Sequence, residues 1–228
     1  MIGVIGAMEV EVNAIIDMLN NKKEMVVGPI TFTLGIINGK DVVVAKCGIG
    51  KVFAAMCAES MIQNFKLDYL LNVGVAGSLS KNLNVASIAI SKSCVQHDMD
   101  TSPLGDPVGM ISGINIIEIP ASKAVIWKVE EAVKSLGIDY EIGVIASGDQ
   151  FVNSSEKKDY IFKTFNAIAC EMEGAAIGHA AYLNRIPFLI IRAISDKADD
   201  SATVDYPTFE AKAIEYSVKL LLELCNRL

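Results

Sequence analysis

The sequence contains little of what phosphate-binding, nucleic-acid-binding and metal-binding proteins require. Only three of its 20 basic residues are arginines (Arg185, Arg192 and Arg227), and the formal net charge is −7. Nucleic acids and anionic membranes favour a basic surface, so we expect neither as a partner. The two histidines, His97 and His179, have no neighbour at metal-ligand spacing, and the G-x-G-x-x-G fingerprint is absent. We therefore expect no metal and no other cofactor.

The cysteines form neither a disulfide framework nor a redox motif. They are odd in number and scattered, and no two of them make a C-x-x-C pair: Cys47, Cys57, Cys94, Cys170 and Cys225. Most lie among apolar neighbours, where a free cysteine behaves as a small hydrophobic residue. The N-terminal apolar run has no basic region before it and is broken at Glu9, so we expect no signal peptide. These features predict a reducing, cytoplasmic environment.

The composition is typical of a globular protein with a large core. Of the 228 residues, 52% are hydrophobic and 21% are charged, which argues against a disordered chain. No apolar stretch reaches the length that a membrane span requires. The sequence has no linker, low-complexity segment or internal repeat. We therefore expect a single domain over residues 1–228.

Strand-like and helix-like hydrophobic patterns alternate along the chain. The apolar run at residues 1–8 predicts a buried strand, and the apolar spacing of residues 12–19 predicts a helix. The dipeptide Asn38-Gly39 suits a type I′ hairpin turn. Further strands are predicted at 31–37, 41–46, 69–73, 86–91, 142–146, 167–170 and 188–193, and further helices at 51–65, 122–136, 156–165, 173–184 and 208–226. This alternation predicts a layered α/β/α fold with a mixed, largely parallel central sheet.

Residues 96–115 depart from this alternation. The segment holds two of the six prolines and three glycines. We expect a long loop, and loops of this length in compact domains are commonly binding elements. Its apolar side chains (Leu104, Val108, Met110 and Ile111) would expose hydrophobic surface unless another subunit covered them. We therefore expect a homodimer.

Acidic residues occur in four of the five segments that follow predicted strands and could bind a ligand. Ligands of open α/β sheets bind beyond the carboxyl ends of the strands, and this rule selects four segments: GAMEVEV, GVAGS, SGDQFVN and RAISDKAD. A fifth segment, CEMEGAA, lies between the strand 167–170 and the helix that follows it. Each acid also has a purely structural explanation. Glu9 and Glu11 would favour the start of a helix, as would Glu171 and Glu173, and Asp196 could be an N-cap. Spacing alone does not decide between catalytic and structural roles.

Six strings taken together resemble one known family. In their order and spacing they are GAMEVEV, KCGIGKV, NVGVAGSL, SGDQFVNS, CEMEGAA and RAISDKAD. The set is similar to that of the 5′-methylthioadenosine/S-adenosylhomocysteine nucleosidases of the nucleoside phosphorylase superfamily, and it extends from Met1 to the last predicted helix. The resemblance implies hydrolysis of the N-glycosidic bond of these two nucleosides, a nucleoside phosphorylase-like fold and a role in methionine salvage. It also implies a homodimer in which the loop 96–115 completes the partner's 5′ pocket.

The resemblance implies a catalytic set of four residues. Asp196 would protonate N7 of adenine, because a neutral base leaves more readily than an anion, and Ser195 would hold Asp196. Aspartate is normally ionised at neutral pH, so the site must raise the pKa of Asp196. Glu11 would activate the attacking water, and Arg192 would help to position it. Glu173 would hold the ribose hydroxyls and face the positive charge that grows on the sugar.

The resemblance also implies a set of substrate-binding residues. Phe151 would stack on the adenine ring, and the backbone of Val152 would hydrogen-bond to the edge of the base. Met172 would contact the ribose. Met8 and Ile49 match positions that line the ribose and the 5′-thio end.

Two further positions depart from the pattern of the family. Val75 stands where many relatives carry a serine whose hydroxyl contacts the catalytic water. Tyr206, at a position that lines the 5′ end, stands where phenylalanine is common. Neither change removes a member of the catalytic set, but both leave the preferred 5′ substituent open.

The arginines and the first loop bear on the choice between a hydrolase and a phosphorylase. The guanidinium group matches the phosphate oxyanion, yet only Arg192 lies in a candidate motif. The first loop offers Glu9 and Glu11, which repel phosphate and suit the activation of water, so we predict hydrolysis. One alternative is the hydrolysis of another adenine nucleoside such as aminodeoxyfutalosine. Another is a non-catalytic nucleoside-binding relative, but such a protein would have no need of the four catalytic residues.

Overall fold

The computed structural model describes residues 1–227, apart from the side chains at positions 204, 207, 210 and 213. The strands are β1 Ile2–Gly6, β2 Asn20–Val27, β3 Ile30–Ile37, β4 Lys40–Lys46, β5 Tyr69–Ser78, β6 Ile88–Gln96, β7 Ile119–Pro120, β8 Tyr140–Ser147, β9 Ala167–Glu171 and β10 Phe188–Asp196. The helices are α1 Glu9–Asp17, α2 Lys51–Asn64, α3 Lys123–Leu136, α4 Ser155–Phe165, α5 Gly174–Leu183 and α6 Ala202–Cys225. No helix within residues 1–227 is both long and apolar enough to cross a membrane.

The strands within residues 1–227 form one mixed sheet, part of which closes into a ring. Strand β10 pairs with both β5 and β6, and the order β10-β6-β8-β9-β5 completes the ring. The sheet continues from β5 through β1, β4 and β3 to the edge strand β2. Strands β4, β1, β5 and β10, paired in that order, form one parallel group, and β6, β8 and β9 form a second. The predicted α/β class with a mixed sheet is confirmed.

Helix α5 covers the sheet closely because the residues that face the sheet are small. Every residue of β1 and β10 is buried, as expected for strands with both faces covered. Helix α5 packs on β6, β8 and β10. A Cβ at Gly178 would lie 2.7 Å from the Phe188 ring and 2.8 Å from Cys94 Sγ. The small residues at the start of α5 therefore allow it to approach the strands that carry the site.

The first part of the chain contains both a confirmed turn and a strand that the sequence patterns did not predict. Asn38 and Gly39 have φ values of 49° and 78°, which fit the predicted type I′ hairpin turn between β3 and β4. Strand β2 was not expected, because its side chains are almost all exposed, five of the eight are polar, and they show no buried face. It lies at the sheet edge, paired with β3.

The segment between β6 and β7 is the predicted long loop. It contains a short 3-10 helix, Ser102–Leu104, and an isolated bridge between Ile111 and Ile116. Leu104 is 85% exposed, as expected for an apolar residue of this loop in an isolated subunit. Ile111 is buried within its own subunit, so the expectation that it needs a partner to cover it is wrong.

Candidate active site

A cavity of about 400 Å³ opens at the carboxyl ends of β1, β5, β9 and β10. All five segments selected from the sequence contribute to its wall, which consists of Ala7, Met8, Glu11, Ile49, Val75, Ala76, Gly77, Phe151, Cys170, Glu171, Met172, Glu173, Ser195, Asp196 and Tyr206. A narrower recess shares part of this wall and adds Gln150 and Val152. The residues expected from the sequence line the cavity or its recess, with the exception of Arg192, which lies beneath it.

Asp196 is the last residue of β10, where the register against β5 shifts. Its carboxyl group is buried and accepts hydrogen bonds from the Ala198 N–H at 2.7 Å and the Ser195 hydroxyl at 2.9 Å. Burial raises the pKa of Asp196, although both hydrogen bonds oppose the rise. A Cβ at Gly77 would lie 2.9 Å from Asp196 Oδ1, so glycine there gives the carboxyl group its space. Burial at this end of the cavity therefore makes the Asp196 carboxyl group easier to protonate than an exposed aspartate.

Glu11 lies in the first turn of α1 and points inwards. Its Oε2 accepts hydrogen bonds from the N–H groups of Ala7 at 2.7 Å and Met8 at 3.0 Å, and its Oε1 accepts one from Val75 at 3.2 Å. Glu11 is 4% exposed, and burial raises its pKa against the opposing charge of Arg192. Three backbone donors therefore fix its orientation inside the cavity.

Glu9 lies in the same turn but points away from the site. Its side chain is 70% exposed and forms an ion pair with Lys46 at 2.7 Å. The hydrogen bond from Lys46 lowers the pKa of Glu9. Of the two acids in GAMEVEV, only Glu11 contributes to the wall of the cavity.

Arg192 is buried beneath the cavity among acidic side chains. Its Nη2 donates to Asn72 Oδ1 at 2.5 Å, forms an ion pair with Glu171 and lies 3.5 Å from Glu173 Oε2. A Cβ at Gly74 would collide with both Arg192 Nη1 and Glu11 Oε1. Glycine at this position therefore leaves the space that both groups occupy. The guanidinium group thus sits among three carboxylates, and its Nε has no hydrogen-bond partner.

The two acids of CEMEG have different surroundings. Glu171 accepts hydrogen bonds from the Ser147 hydroxyl and from the N–H groups of Glu173 and Gly174. Glu173 has fewer partners: its Oε1 accepts a hydrogen bond from the Gly50 N–H at 3.0 Å. Burial raises the pKa of Glu173 to about 7, although the charge of Arg192 opposes the rise. Glu173 therefore has more capacity to bind a ligand, as the family pattern implies.

Apolar and aromatic side chains form the rest of the wall. The ring of Phe151 is exposed at the opening and meets the Tyr206 ring edge to face, with centroids 5.9 Å apart. The Tyr206 hydroxyl donates to Met8 Sδ at 3.4 Å, so residues from both ends of the chain meet here. Val152 is buried and lines the recess that also contains Asp196.

Comparison with known proteins identifies the family. The sequence model of the phosphorylase superfamily matches residues 1–226. The 5′-methylthioadenosine/S-adenosylhomocysteine nucleosidase of Staphylococcus aureus is 37% identical over 229 residues, and the match covers all of both chains. The chain belongs to this nucleosidase family.

Solved structures agree with this membership. The same nucleosidase of Neisseria meningitidis, in complex with methylthio-immucillin-A, superposes with a TM-score of 0.96 at 35% identity, covering 100% of this chain and 99% of that one. The futalosine hydrolase of Helicobacter pylori strain 26695 superposes with a TM-score of 0.95 at 35% identity, covering 100% and 97%. The expected nucleoside phosphorylase-like fold is confirmed.

Sequence reasoning did not select several residues that shape the site of this family member. Asn72 binds Arg192, Ser147 binds Glu171, and Cys170 lines both the cavity and its recess. Two of these residues carried a signal, because Asn72 interrupts the apolar run YLLNVGV and Ser147 is a polar residue at the end of an apolar strand. Cys170 carried none, since a buried cysteine in a strand indicates only packing.

Cations are scarce around the cavity of this nucleosidase-family chain. Among the residues that line it within the described part of the chain, none is a lysine or an arginine. Arg192, the nearest guanidinium group, is already engaged by acidic partners. Within residues 1–227, no group of three His, Cys, Asp or Glu side chains is arranged to hold a metal ion.

Proposed function

We propose that this chain hydrolyses the N-glycosidic bond of 5′-methylthioadenosine and S-adenosylhomocysteine, releasing adenine and the 5-thioribose product. The observation that carries the proposal is the convergence of Glu11, Glu173 and Asp196 on one cavity, each with a raised pKa. Perturbed carboxyl groups in a cleft are typical of acid–base catalysis. The nucleosidases at 37% identity over the full length support the choice of substrate.

Asp196 is the proposed general acid. Protonation of adenine N7 turns the departing base into a neutral leaving group, and this contribution is worth about 10²–10⁴-fold in rate. The buried position of Asp196 favours the protonated form that the step requires. Ser195 and the Ala198 N–H fix the carboxyl group, and Val152 lies in the same recess, where its backbone would meet the edge of the base.

Glu11 is the proposed base that activates water. Its carboxylate is held by three backbone N–H groups and lines the cavity, so it can accept a proton from a water molecule without reorganisation. The side chain of Val75 lines the same wall but cannot hydrogen-bond to water. We propose that Arg192 acts from beneath by orienting Glu11 and Glu173, with which it shares a buried charge cluster.

Glu173 is the proposed ribose-binding residue. One of its oxygens is held by the Gly50 N–H, and its carboxylate would accept hydrogen bonds from the ribose hydroxyls. Once ionised, it would also stabilise the positive charge that develops on the sugar as the bond to the base breaks. Met8, Ile49, Met172 and Tyr206 would surround the ribose and the 5′ substituent.

The proposal is tested by measuring adenine release from methylthioadenosine with and without phosphate. We expect 5-methylthioribose and a rate that does not depend on phosphate, because none of the described residues that line the cavity has a cationic side chain. Formation of methylthioribose 1-phosphate would show a phosphorylase instead. Absence of adenine release from any nucleoside would favour the non-catalytic alternative.

A second candidate substrate is aminodeoxyfutalosine. The structural similarity to the Helicobacter pylori futalosine hydrolase favours it. The same catalytic residues could act on either nucleoside, since the chemistry occurs at the bond between adenine and the sugar. A comparison of kcat/KM for methylthioadenosine, S-adenosylhomocysteine, adenosine and aminodeoxyfutalosine would rank them.

We further propose that the enzyme is a homodimer. Helices α2 and α5 pack together and leave an apolar surface exposed, formed by Val52, Phe53, Met56 and Leu183. A surface of this kind is typical of a subunit interface. The loop 96–115, with Leu104 at its tip, would then complete the 5′ pocket of the partner. Sedimentation should show a dimer, and Leu104→Asp should raise KM for methylthioadenosine; an active monomer would contradict the proposal.

Three broader expectations stay proposals. A single domain over residues 1–228 is supported by one continuous sheet and by the family match over residues 1–226. A cytoplasmic location is supported by the five free, buried cysteines. A role in methionine salvage follows from the proposed substrates, because the thioribose product keeps their sulfur.

A further inference from the structure

We propose that Lys51, Asp98 and Asp149 form a positioning cluster that holds two walls of the nucleoside site at a fixed separation. None of the three lines the cavity, and none belongs to the catalytic set described above. The inference rests on the proposed function, because it concerns how that site is kept in shape.

The cluster is a closed cycle of contacts. Lys51 Nζ lies 2.7 Å from Asp98 Oδ1 and donates to Gln96 Oε1 at 3.1 Å. Asp98 Oδ2 accepts a hydrogen bond from the Asp149 N–H at 2.9 Å. Asp149 Oδ1 accepts one from the Lys51 N–H at 2.7 Å, which completes the cycle. Each of the three residues therefore contacts the other two.

Lys51 connects the cluster to the ribose side of the site. It is the first residue of α2 and directly follows Gly50, whose N–H donates to Glu173 Oε1. Ile49, one residue earlier, lines the cavity. Gly50 has φ of 98°, and a Cβ there would lie 3.0 Å from Asp149 Oδ1. A shift of Lys51 would therefore displace the Gly50 N–H from Glu173.

Asp149 connects the cluster to the base side of the site. Phe151 and Val152, the proposed adenine-binding residues, follow it by two and three positions. Its own N–H is held by Asp98, which lies just beyond the end of β6. Asp98 also belongs to the loop 96–115 that we propose to reach the partner subunit. The cluster thus joins the ribose wall, the base wall and this loop.

The position of the cluster suits a geometric role more than a stabilising one. The Lys51 and Asp98 side chains are 17% and 18% exposed, so the pair is shielded from solvent but not fully desolvated. Ion pairs near the surface contribute little to stability. Displacing a reacting group by about 1 Å, however, can lower the rate about 100-fold. Loss of the cluster should therefore affect catalysis more than unfolding.

The pH profile offers a readout that a merely structural role would not change. The charged groups that face Glu173 are Arg192 from β10, Glu171 from β9 and Glu11 from α1, and the Gly50 N–H adds a hydrogen bond. That hydrogen bond lowers the pKa of Glu173. If the cluster is broken and the Gly50 N–H moves away, Glu173 binds its proton more tightly. The acid limb of the kcat/KM profile should then move to higher pH.

The test compares Lys51→Met, Asp98→Asn and their double variant with the wild-type enzyme. Each single variant should lower kcat/KM for methylthioadenosine by about 10–100-fold and move the acid limb to higher pH. The loss in the double variant should be smaller than the product of the two single losses, because both single variants remove the same Lys51–Asp98 ion pair. Lys51→Arg should retain most of the activity, since it keeps a cation within reach of Asp98.

Matched controls are Lys163→Met and Asp159→Asn, which break an exposed ion pair of α4 with an N–O distance of 3.1 Å. They should leave kcat/KM and the pH profile unchanged. The proposal is overturned if the Lys51 and Asp98 variants stay within twofold of wild type, or if they lose activity with an unchanged pH profile. A wild-type enzyme that releases no adenine would instead contradict the proposed function.

Discussion

Glu11→Gln gives the most direct test of the proposed mechanism, because Glu9→Gln is a control with the same chemical change in the same helical turn. An amide cannot accept a proton from water, so Glu11→Gln should remove the general base. That contribution is worth about 10²–10⁴-fold in rate. Glu9 is exposed and bound to Lys46, outside the cavity, so Glu9→Gln should change kcat by less than about twofold.

The structure also sets the expected effect of Glu11→Gln on stability. Glu11 accepts hydrogen bonds from the N–H groups of Ala7, Met8 and Val75. The amide has only one acceptor oxygen, so its NH2 group must face at least one of these donors. A buried donor left unsatisfied costs about 1–3 kcal/mol. For a chain of this size, where 1 kcal/mol shifts Tm by about 2–4 °C, Tm should fall by roughly 2–12 °C.

The assay is adenine release from methylthioadenosine at saturating substrate, at a temperature well below the lowest Tm. Thermal unfolding of each variant is measured in parallel, so that lost activity is not confused with lost fold. Equal losses in the Glu9 and Glu11 variants would refute the assignment of the base. So would a folded Glu11→Gln enzyme that keeps more than a tenth of the wild-type kcat.

Further predictions concern the other groups in the cavity. Asp196→Asn should lower kcat by at least about 100-fold with the fold intact; more than a tenth of wild-type kcat would rule out Asp196 as the acid. Val75→Ser should change kcat by no more than about tenfold, because one neutral hydrogen bond contributes about 0.5–1.5 kcal/mol; a thousandfold gain would indicate a degraded enzyme. The pKa of Glu173 is raised to about 7 and its ionised form is required, so kcat/KM should rise with pH through this value. Asp196 must stay protonated and burial raises its pKa, so loss of its proton should lower kcat/KM as the pH rises. A profile that is flat throughout would contradict both roles.

Local sequence patterns predicted most of the elements that form the sheet, because buried strands and amphipathic helices repeat apolar residues with different periods. They failed for β2, whose exposed side chains show neither period. They also could not predict the closure of the ring. That closure depends on β10 pairing with two strands at once: Ile191 lies beside Val73 of β5 on one side and Ile90 of β6 on the other.

The candidate site also combines features that the sequence predicted with features that only the tertiary structure decided. The order and spacing of six motifs were enough to recognise the nucleosidase family and to point to its acids. The choice between Glu9 and Glu11 within GAMEVEV needed tertiary structure, because it depends on what each carboxylate meets across the fold. Glu9 meets Lys46 at the end of β4, whereas Glu11 meets the Val75 N–H of β5.

Arg192 and the positioning cluster of Lys51, Asp98 and Asp149 show most clearly what only the tertiary structure decided. The sequence located Arg192 in a motif, but its burial beside Glu171 and Asn72 results from strand pairing between distant segments. Lys51 and Asp98 are 47 residues apart in the chain, and nothing in their local sequence indicates that they are partners. Periodicity and motifs report which face of an element is buried and which residue types are present. Which side chains then meet is decided by the pairing of strands across the sheet, because a hydrogen bond or an ion pair depends on distance in space and not along the chain.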